Sequence, residues 1–223
     1  VNNSFKLKGS KEEQMKKVVI LSVLLVFFVF GCGGQQEAQV EKSKGATEET
    51  AQKEEPTKEI MQDPIEREEN PVVVMETNQG NIEIELFWEE TPKIAENFLR
   101  LVLSGYYDGL TFHRIVPGFV IQGGDPTGTG RGGPGYTLPD EPTEKKHDRG
   151  TLAMARGMQG NNGSQFYIAL SKENTAHLDQ QNFSVFGHVI KGMDVVDKIA
   201  GVETEGQMPK EPVIMTKVYE KKQ

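Results

Sequence analysis

Two residues pose the chemical question. Arg114 sits inside the apolar stretch Phe112-His113-Arg114-Ile115-Val116, and the amide Gln122 closes the next one, Phe119-Val120-Ile121. A guanidinium stays protonated, so it offers a fixed charge and a planar fork of donors rather than a proton to transfer. Pro117-Gly118 between the two stretches is a strong turn signal. It predicts two short strands, about Phe112–Val116 and Phe119–Gln122. Strict alternation places Arg114 on the same face as Phe112 and Val116. A cation on the apolar side of a strand needs a task; if it instead points outward from a sheet edge, the segment is an ordinary hairpin.

Other residue types that carry chemistry are sparse or badly spaced. His113, His147, His177 and His188 show no close ligand pairing, so no metal is expected. His113 reads as the neighbour of Arg114 on the opposite strand face. Gly128-Thr129-Gly130-Arg131-Gly132-Gly133 satisfies the dinucleotide spacing G-x-G-x-x-G, but Pro134-Gly135 follows where a helix should begin. The segment therefore reads as a surface loop rather than a phosphate cradle.

The elements that must position Arg114 and Gln122 begin near Pro71. Val72–Thr77 and Asn81–Phe87 flank Asn78-Gln79-Gly80, a hairpin loop with glycine where positive φ is needed. Ile82, Ile84 and Leu86 alternate with Glu83 and Glu85, which predicts one buried face and one solvated face. Thr91-Pro92 predicts an N-cap and first helical position. Ile94, Ala95, Phe98, Leu99, Leu101 and Val102 form one apolar side of the helix that Gly105 ends. Further strands are predicted at Gly150–Ala155, Gln165–Leu170, Ser184–Ile190 and Val213–Glu220, with a second short helix at Met193–Ala200. Many strands with two helices indicate a mainly β chain folded as a closed antiparallel barrel, which removes exposed edges.

The chain has 223 residues and a net charge of −8, enough for one domain with appendages. Residues 1–32 carry five basic and two acidic side chains, 33–70 five and eleven, and 71–223 fifteen and twenty. Behind the N-terminal segment there is no basic surface of the kind nucleic-acid binding requires. Cys32 is the only cysteine, which excludes an intramolecular disulfide framework.

Lys16-Lys17 precede the apolar run Val18–Phe30, thirteen residues long. A bilayer span takes about 20. The run suits the core of a secretory signal, which is typically about 7–15 residues. Val29-Phe30-Gly31-Cys32 resembles the bacterial lipobox, in which cleavage before the cysteine leaves it to carry lipid. Met15 fits the start of such a signal, and Lys11-Glu12-Glu13-Gln14 is compatible with a purine-rich ribosome-binding stretch just before its codon. Gly33–Asn70, rich in Glu, Lys, Gln and Thr, buries too little apolar surface to order itself and reads as an acidic tether. Its residues Glu48–Met61 favour a helix, but Pro56 argues against a continuous one.

Phe112–Asp125 and Thr151–Leu170 together resemble the signature blocks of the cyclophilins, a family of peptidyl-prolyl cis/trans isomerases. The blocks are Phe-His-Arg-Ile-x-Pro-Gly-Phe, Gln-Gly-Gly-Asp, Leu-x-Met-Ala and Gly-Ser-Gln-Phe, followed by Val185-Phe186-Gly187. They occur in the family's order, and the likeness covers about Pro71 to Tyr219. The resemblance implies an eight-stranded barrel with a helix at each end. It implies Arg114 as the catalytic cation and Gln122 as the amide that orients it. Phe119, Val120, Tyr167, Leu178 and Phe183 would form the proline pocket, Ala155, Arg156 and Gly157 the backbone ledge beside it, and Gln165 would stand behind.

Four departures accompany the match. Val120 stands where many members have Met, Tyr167 where many have Phe, and His177 where the eukaryotic pattern has Trp. Asp179–Ser184 is one residue longer than the common eukaryotic version, so the place of Phe183 depends on where the gap falls. The expected protein has a signal segment over 1–31, a lipid-bearing tether over 32–70 and an isomerase domain over 71–223. It would act as a monomer, without cofactor, on proline-containing polypeptides outside the cytoplasm. The alternative is a peptide-binding or chaperone module on the same fold, since fold alone does not fix function.

Overall fold

The computed structural model describes residues 64–157 and 160–222. The expected signal segment, Cys32, the Glu48–Met61 stretch and the part of the expected tether before Pro64 lie outside the described residues.

The chain runs β1 (Val72–Thr77), β2 (Gly80–Leu86), α1 (Pro92–Leu103), β3 (Arg114–Val116), β4 (Val120–Gly123), β5 (Thr151–Gly157) and β6 (Gly160–Ala169). It continues through α2 (Lys172–Thr175), a 3₁₀ turn (Ala176–Gln180), β7 (Val185–Lys191) and α3 (Met193–Ala200). It ends with β8 (Thr204–Glu205), β9 (Met208–Pro209) and β10 (Met215–Glu220). Eight strands form one antiparallel sheet in the order β10-β1-β2-β7-β5-β6-β4-β3, with β8 and β9 a separate hairpin.

The sheet is an open half-barrel rather than the closed barrel expected. β3 stops after three residues at Pro117-Gly118, and β10 starts only after Pro212. The segment ahead of β3 meets the start of β10 through the bridge Thr111 to Ile214 and three backbone bonds, Gly109 N to Met215 O, Met215 N to Leu110 O and Phe112 N to Val213 O, and none of them involves β3 itself. A ladder that short leaves β3 as a true edge. The β8–β9 hairpin caps that edge, with Ile115 N donating to Gln207 O at 2.7 Å, which blunts its exposed backbone groups. The helix expectation is also incomplete. Besides α1 and α3, the segment after β6 coils into α2 and the 3₁₀ turn.

Period-two geometry sorts the central strands into two faces. Ile115, Ile121, Ile168 and Leu152 are successive cross-strand partners, all fully buried in the main core. That core sits against α1, whose Phe98 packs edge-on to Phe166 at 5.6 Å and tilted to Phe186 at 5.1 Å. The opposite row reads Arg114, Gln122, Tyr167 and Ala153. Phe112 does not share the face of Arg114, contrary to simple alternation. It lies two residues ahead of β3 and is buried in the main core.

Two local expectations change as well. Thr91 precedes α1, but its hydroxyl bonds Phe87 O rather than the helix. The helix N-terminus is instead capped from a distance by Glu141, which accepts from Ile94 N at 2.9 Å and Lys93 N at 3.3 Å. The folded body also begins before Pro71. Ile65 packs on the core and its N–H bonds Glu96, Arg67 pairs with Glu220 and lies over Trp88, and Asn70 accepts from Trp88 N at 2.9 Å. Charged side chains at 66–69 mask this anchoring in the composition, because one isoleucine and one arginine are enough to dock the segment.

Candidate active site

The outer face of β3, β4, β5 and β6 carries a second, smaller apolar cluster formed by Val120, Ala153, Ala155, Tyr167, Leu178 and Val185. Phe119, Phe183 and Phe87 pack on it, partly buried. They surround a cavity of about 180 Å³ lined by Arg114, Phe119, Val120, Gln122, Ala155, Arg156, Tyr167, Leu178 and Phe183. Nine of the residues singled out in the sequence thus meet around one opening, though they come from separate segments.

Each wall has a local cause. The 3₁₀ turn brings Leu178 over the strands, and Thr175 Oγ1 ties its start to His147 O at 2.6 Å. Within Asp179–Ser184, Asn182 adopts φ 54°, a left-handed conformation that asparagine tolerates better than most residues. This sets the Phe183 ring edge-on to Tyr167 at 5.9 Å. Arg156 holds that wall: it pairs with Asp140, donates to Gln181 O at 2.8 Å, and lies over the Phe183 ring at 5.5 Å.

The polar rim is a single hydrogen-bonded chain. Arg114 Nη1 donates to Gln122 Oε1 at 3.2 Å, Gln122 Nε2 to Gln165 Oε1 at 2.9 Å, and Gln165 Nε2 to Gly132 O at 2.8 Å. Each amide orientation is thereby fixed by the next. Gln165 stands behind the cavity, fully buried, rather than lining it. Burial pulls the Arg114 pKa below its ordinary value, yet an arginine remains a cation.

The chain ends on the glycine-rich loop. The buried Asp125 carboxylate accepts from Thr127 N, Thr127 Oγ1, Gly130 N and Gly132 N. Burial pushes its pKa up, but these bonds together outweigh burial and hold the carboxyl below its usual value. A Cβ at Gly132 would run into Asp125 Oδ1, so only glycine fits the close approach. Gly157 lies outside the apolar cavity. It lines a neighbouring open groove with Gly130–Gly133, Tyr136 and Asn162. His177 is exposed and stacks on Phe119 at 5.8 Å without entering the cavity.

Three residues at the site carried no signal in the sequence. Gln207 accepts from Arg114 Nε at 2.6 Å across a separation of 93 residues. Beneath the cavity, His147 Nδ1 lies 2.7 Å from Asp179 Oδ1 and His147 Nε2 lies 2.8 Å from the Tyr167 hydroxyl. Asp179 also accepts from His147 N at 2.9 Å, so it is acceptor to both donors of that residue. The network assigns a neutral imidazole protonated at Nδ1, accepting from Tyr167 at Nε2. Burial keeps the His147 pKa below its ordinary value against the pull of Asp179, and burial pushes the Tyr167 phenol up.

Residues 72–220 match the family described as cyclophilin type peptidyl-prolyl cis-trans isomerase/CLD. The chain is 46% identical over 145 residues to the peptidyl-prolyl cis-trans isomerase-like 1 of Rhizopus delemar, covering 63% of this chain and 84% of that protein. It is 44% identical over 155 residues to the Bos taurus protein of the same name, covering 67% and 92%. A cyclophilin type isomerase of Cryptosporidium parvum, solved in the presence of the dipeptide Ala-Pro, superposes with a TM-score of 0.62 at 35% identity, covering 68% of this chain and 99% of that one. On fold, site and sequence together, the chain belongs to the cyclophilin-type peptidyl-prolyl cis-trans isomerases.

Proposed function

We propose that this domain accelerates X–Pro rotation by seating the proline ring in the apolar cavity while Arg114 donates a hydrogen bond to the prolyl nitrogen. Amide resonance sets a barrier of about 18–20 kcal/mol. As the amide twists, resonance is lost and the nitrogen regains a lone pair. A donor that meets this lone pair binds the twisted form better than either planar form, which is the requirement for catalysis. No bond breaks, so neither a nucleophile nor a cofactor is called for.

The observation that carries this reading is the guanidinium held at the mouth of the cavity by Gln122 and Gln207. Those bonds occupy Nε and one Nη1 donor and leave Nη2 without a protein partner among the described residues. Phe119, Val120, Leu178, Phe183 and Tyr167 supply the ring's walls. The backbone of Ala155, Arg156 and Gly157 lies beside the cavity, where an extended substrate would pair with it.

NMR exchange on a Pro peptide, or a protease-coupled assay, tests the assignment. Arg114→Ala should lower kcat/KM at least about 100-fold, roughly 2.7 kcal/mol of transition-state stabilisation. Arg114→Lys should also be poor, since a point charge does not reproduce the planar fork. Peptide binding without exchange enhancement in the wild type would favour the binding-module alternative.

The site of action follows from the N-terminal sequence: Lys16-Lys17, the Val18–Phe30 run and Cys32 support export and lipid attachment, with the domain held outside the cytoplasm on its acidic tether. Labelled fatty acid should enter the wild-type protein and not Cys32→Ser. Failure to label the wild type would end the lipoprotein reading and leave the isomerase reading untouched.

A further inference from the structure

Gln207 belongs to none of the motifs that mark the site, yet it makes the shortest hydrogen bond to Arg114. It sits at the tip of the β8–β9 hairpin, where Glu205 pairs with Met208 and only Gly206 and Gln207 form the loop. Gly206 takes φ 65° and Gln207 is not in the positive-φ region, as a two-residue turn with glycine in its first central position requires. The base of the hairpin is closed by Lys210, whose backbone N donates to Glu203 O at 2.9 Å and whose ammonium pairs with Glu203 at 3.0 Å. The hairpin is therefore a defined element rather than a loose loop.

It also docks on β3 in register with the catalytic strand. Ile115 N donates to Gln207 O at 2.7 Å, one residue from Arg114. That backbone bond fixes where the Gln207 side chain starts. Its carbonyl oxygen then meets Arg114 Nε at 2.6 Å. Gln122 meets the same guanidinium at Nη1. One acceptor alone leaves the planar group free to swing about a single bond; acceptors at two of its nitrogens define its plane.

We infer that Gln207 is a positioning residue for catalysis: it locks the Arg114 guanidinium so that its free edge faces the prolyl nitrogen. The inference rests on the isomerase reading above. Gln207 is exposed, so its bond competes with water and adds little to stability. Its effect should therefore appear in turnover and not in folding.

The test compares Gln207→Met, which keeps length and removes the acceptor, with Gln207→Glu, which keeps an acceptor at the same reach. Gln207→Met should lower kcat about 5-fold with KM changed less than 2-fold and the melting curve unmoved. Gln207→Glu should recover most of that loss. On an Arg114→Lys background, which has no Nε–H to hold, Gln207→Met should have no further effect on the residual rate. In parallel, the ¹⁵N relaxation of Arg114 Nε in the free protein should report faster motion in Gln207→Met.

Unchanged kcat in Gln207→Met would overturn the inference. So would an equal loss on the Arg114→Lys background, which would mean that Gln207 acts on the substrate directly. A wild type without turnover would instead bring down the isomerase reading, and a failure of that kind is told apart by its independence of residue 207.

Discussion

Tyr167→Phe removes one hydroxyl and leaves the ring that walls the proline cavity. In the wild type that hydroxyl donates to His147 Nε2 at 2.8 Å, in a place where His147 is only 2% exposed. Its loss leaves a buried acceptor without a partner, a defect that costs about 1–3 kcal/mol. For a domain of this size the melting temperature should fall by roughly 3–10 °C. The ring face toward the substrate is retained, so kcat/KM should drop less than about threefold.

The same bond makes a pH-dependent prediction. Burial depresses the folded-state pKa of His147, so the unfolded chain takes up its proton first. The stability tied to neutral His147 is fully present above the unfolded histidine pKa, about 6.5, and is lost as pH falls from there through the folded value. His113, buried with neither ring nitrogen bonded, shifts in the same direction and for the same main cause. Each histidine can steepen the loss by at most about 1.4 kcal/mol per pH unit. A protonated His147 has no lone pair left to accept from Tyr167. The penalty of Tyr167→Phe should therefore hold down to the depressed folded-state pKa of His147 and shrink as pH falls through it. Urea unfolding of both proteins at pH 5.0 and 8.0, with the isomerase assay at pH 8.0, measures all of this. A penalty larger at pH 5.0 than at pH 8.0, or a tenfold activity loss without a stability loss, would refute the reasoning.

Asp125→Ala removes four hydrogen bonds that shape the glycine-rich loop; it should cost roughly 2–4 kcal/mol and raise KM more than it lowers kcat, read by melting and steady-state assays. A chain starting at Pro71 should be less stable than one starting at Asp63 by about 1–3 kcal/mol, the worth of the Ile65, Arg67 and Asn70 contacts, with similar kcat/KM in both. His177→Trp should tighten inhibition by the cyclic peptide cyclosporin by roughly 1–2 kcal/mol with little change in turnover, because His177 lies on Phe119 outside the cavity. Titrating both proteins in one isomerase assay checks this, and tight inhibition of the wild type would count against it.

Local physics written into the chain determined most of the elements. The alternation of Ile82, Ile84 and Leu86 made β2 one-sided, the apolar stripe from Ile94 to Val102 made α1 amphipathic, and Pro117-Gly118 set the β3–β4 turn. Such patterns have periods of two or 3.6 residues and are complete within a few turns of chain, so they can be read without the fold. The residues around Arg114 were legible for a related reason, because motif blocks keep their order and spacing. Closure of the sheet was not. Whether β3 meets β10 depends on the accumulated curl of eight strands and on two prolines that shorten the edges, quantities that belong to no single segment. Nor could local pattern reveal that Glu141 caps α1 from 47 residues away, that Gln207 reaches Arg114 across 93, or that His147 stands between Asp179 and Tyr167. A lone glutamine or histidine has no periodicity, and its partner is chosen only when distant strands and turns come to rest side by side.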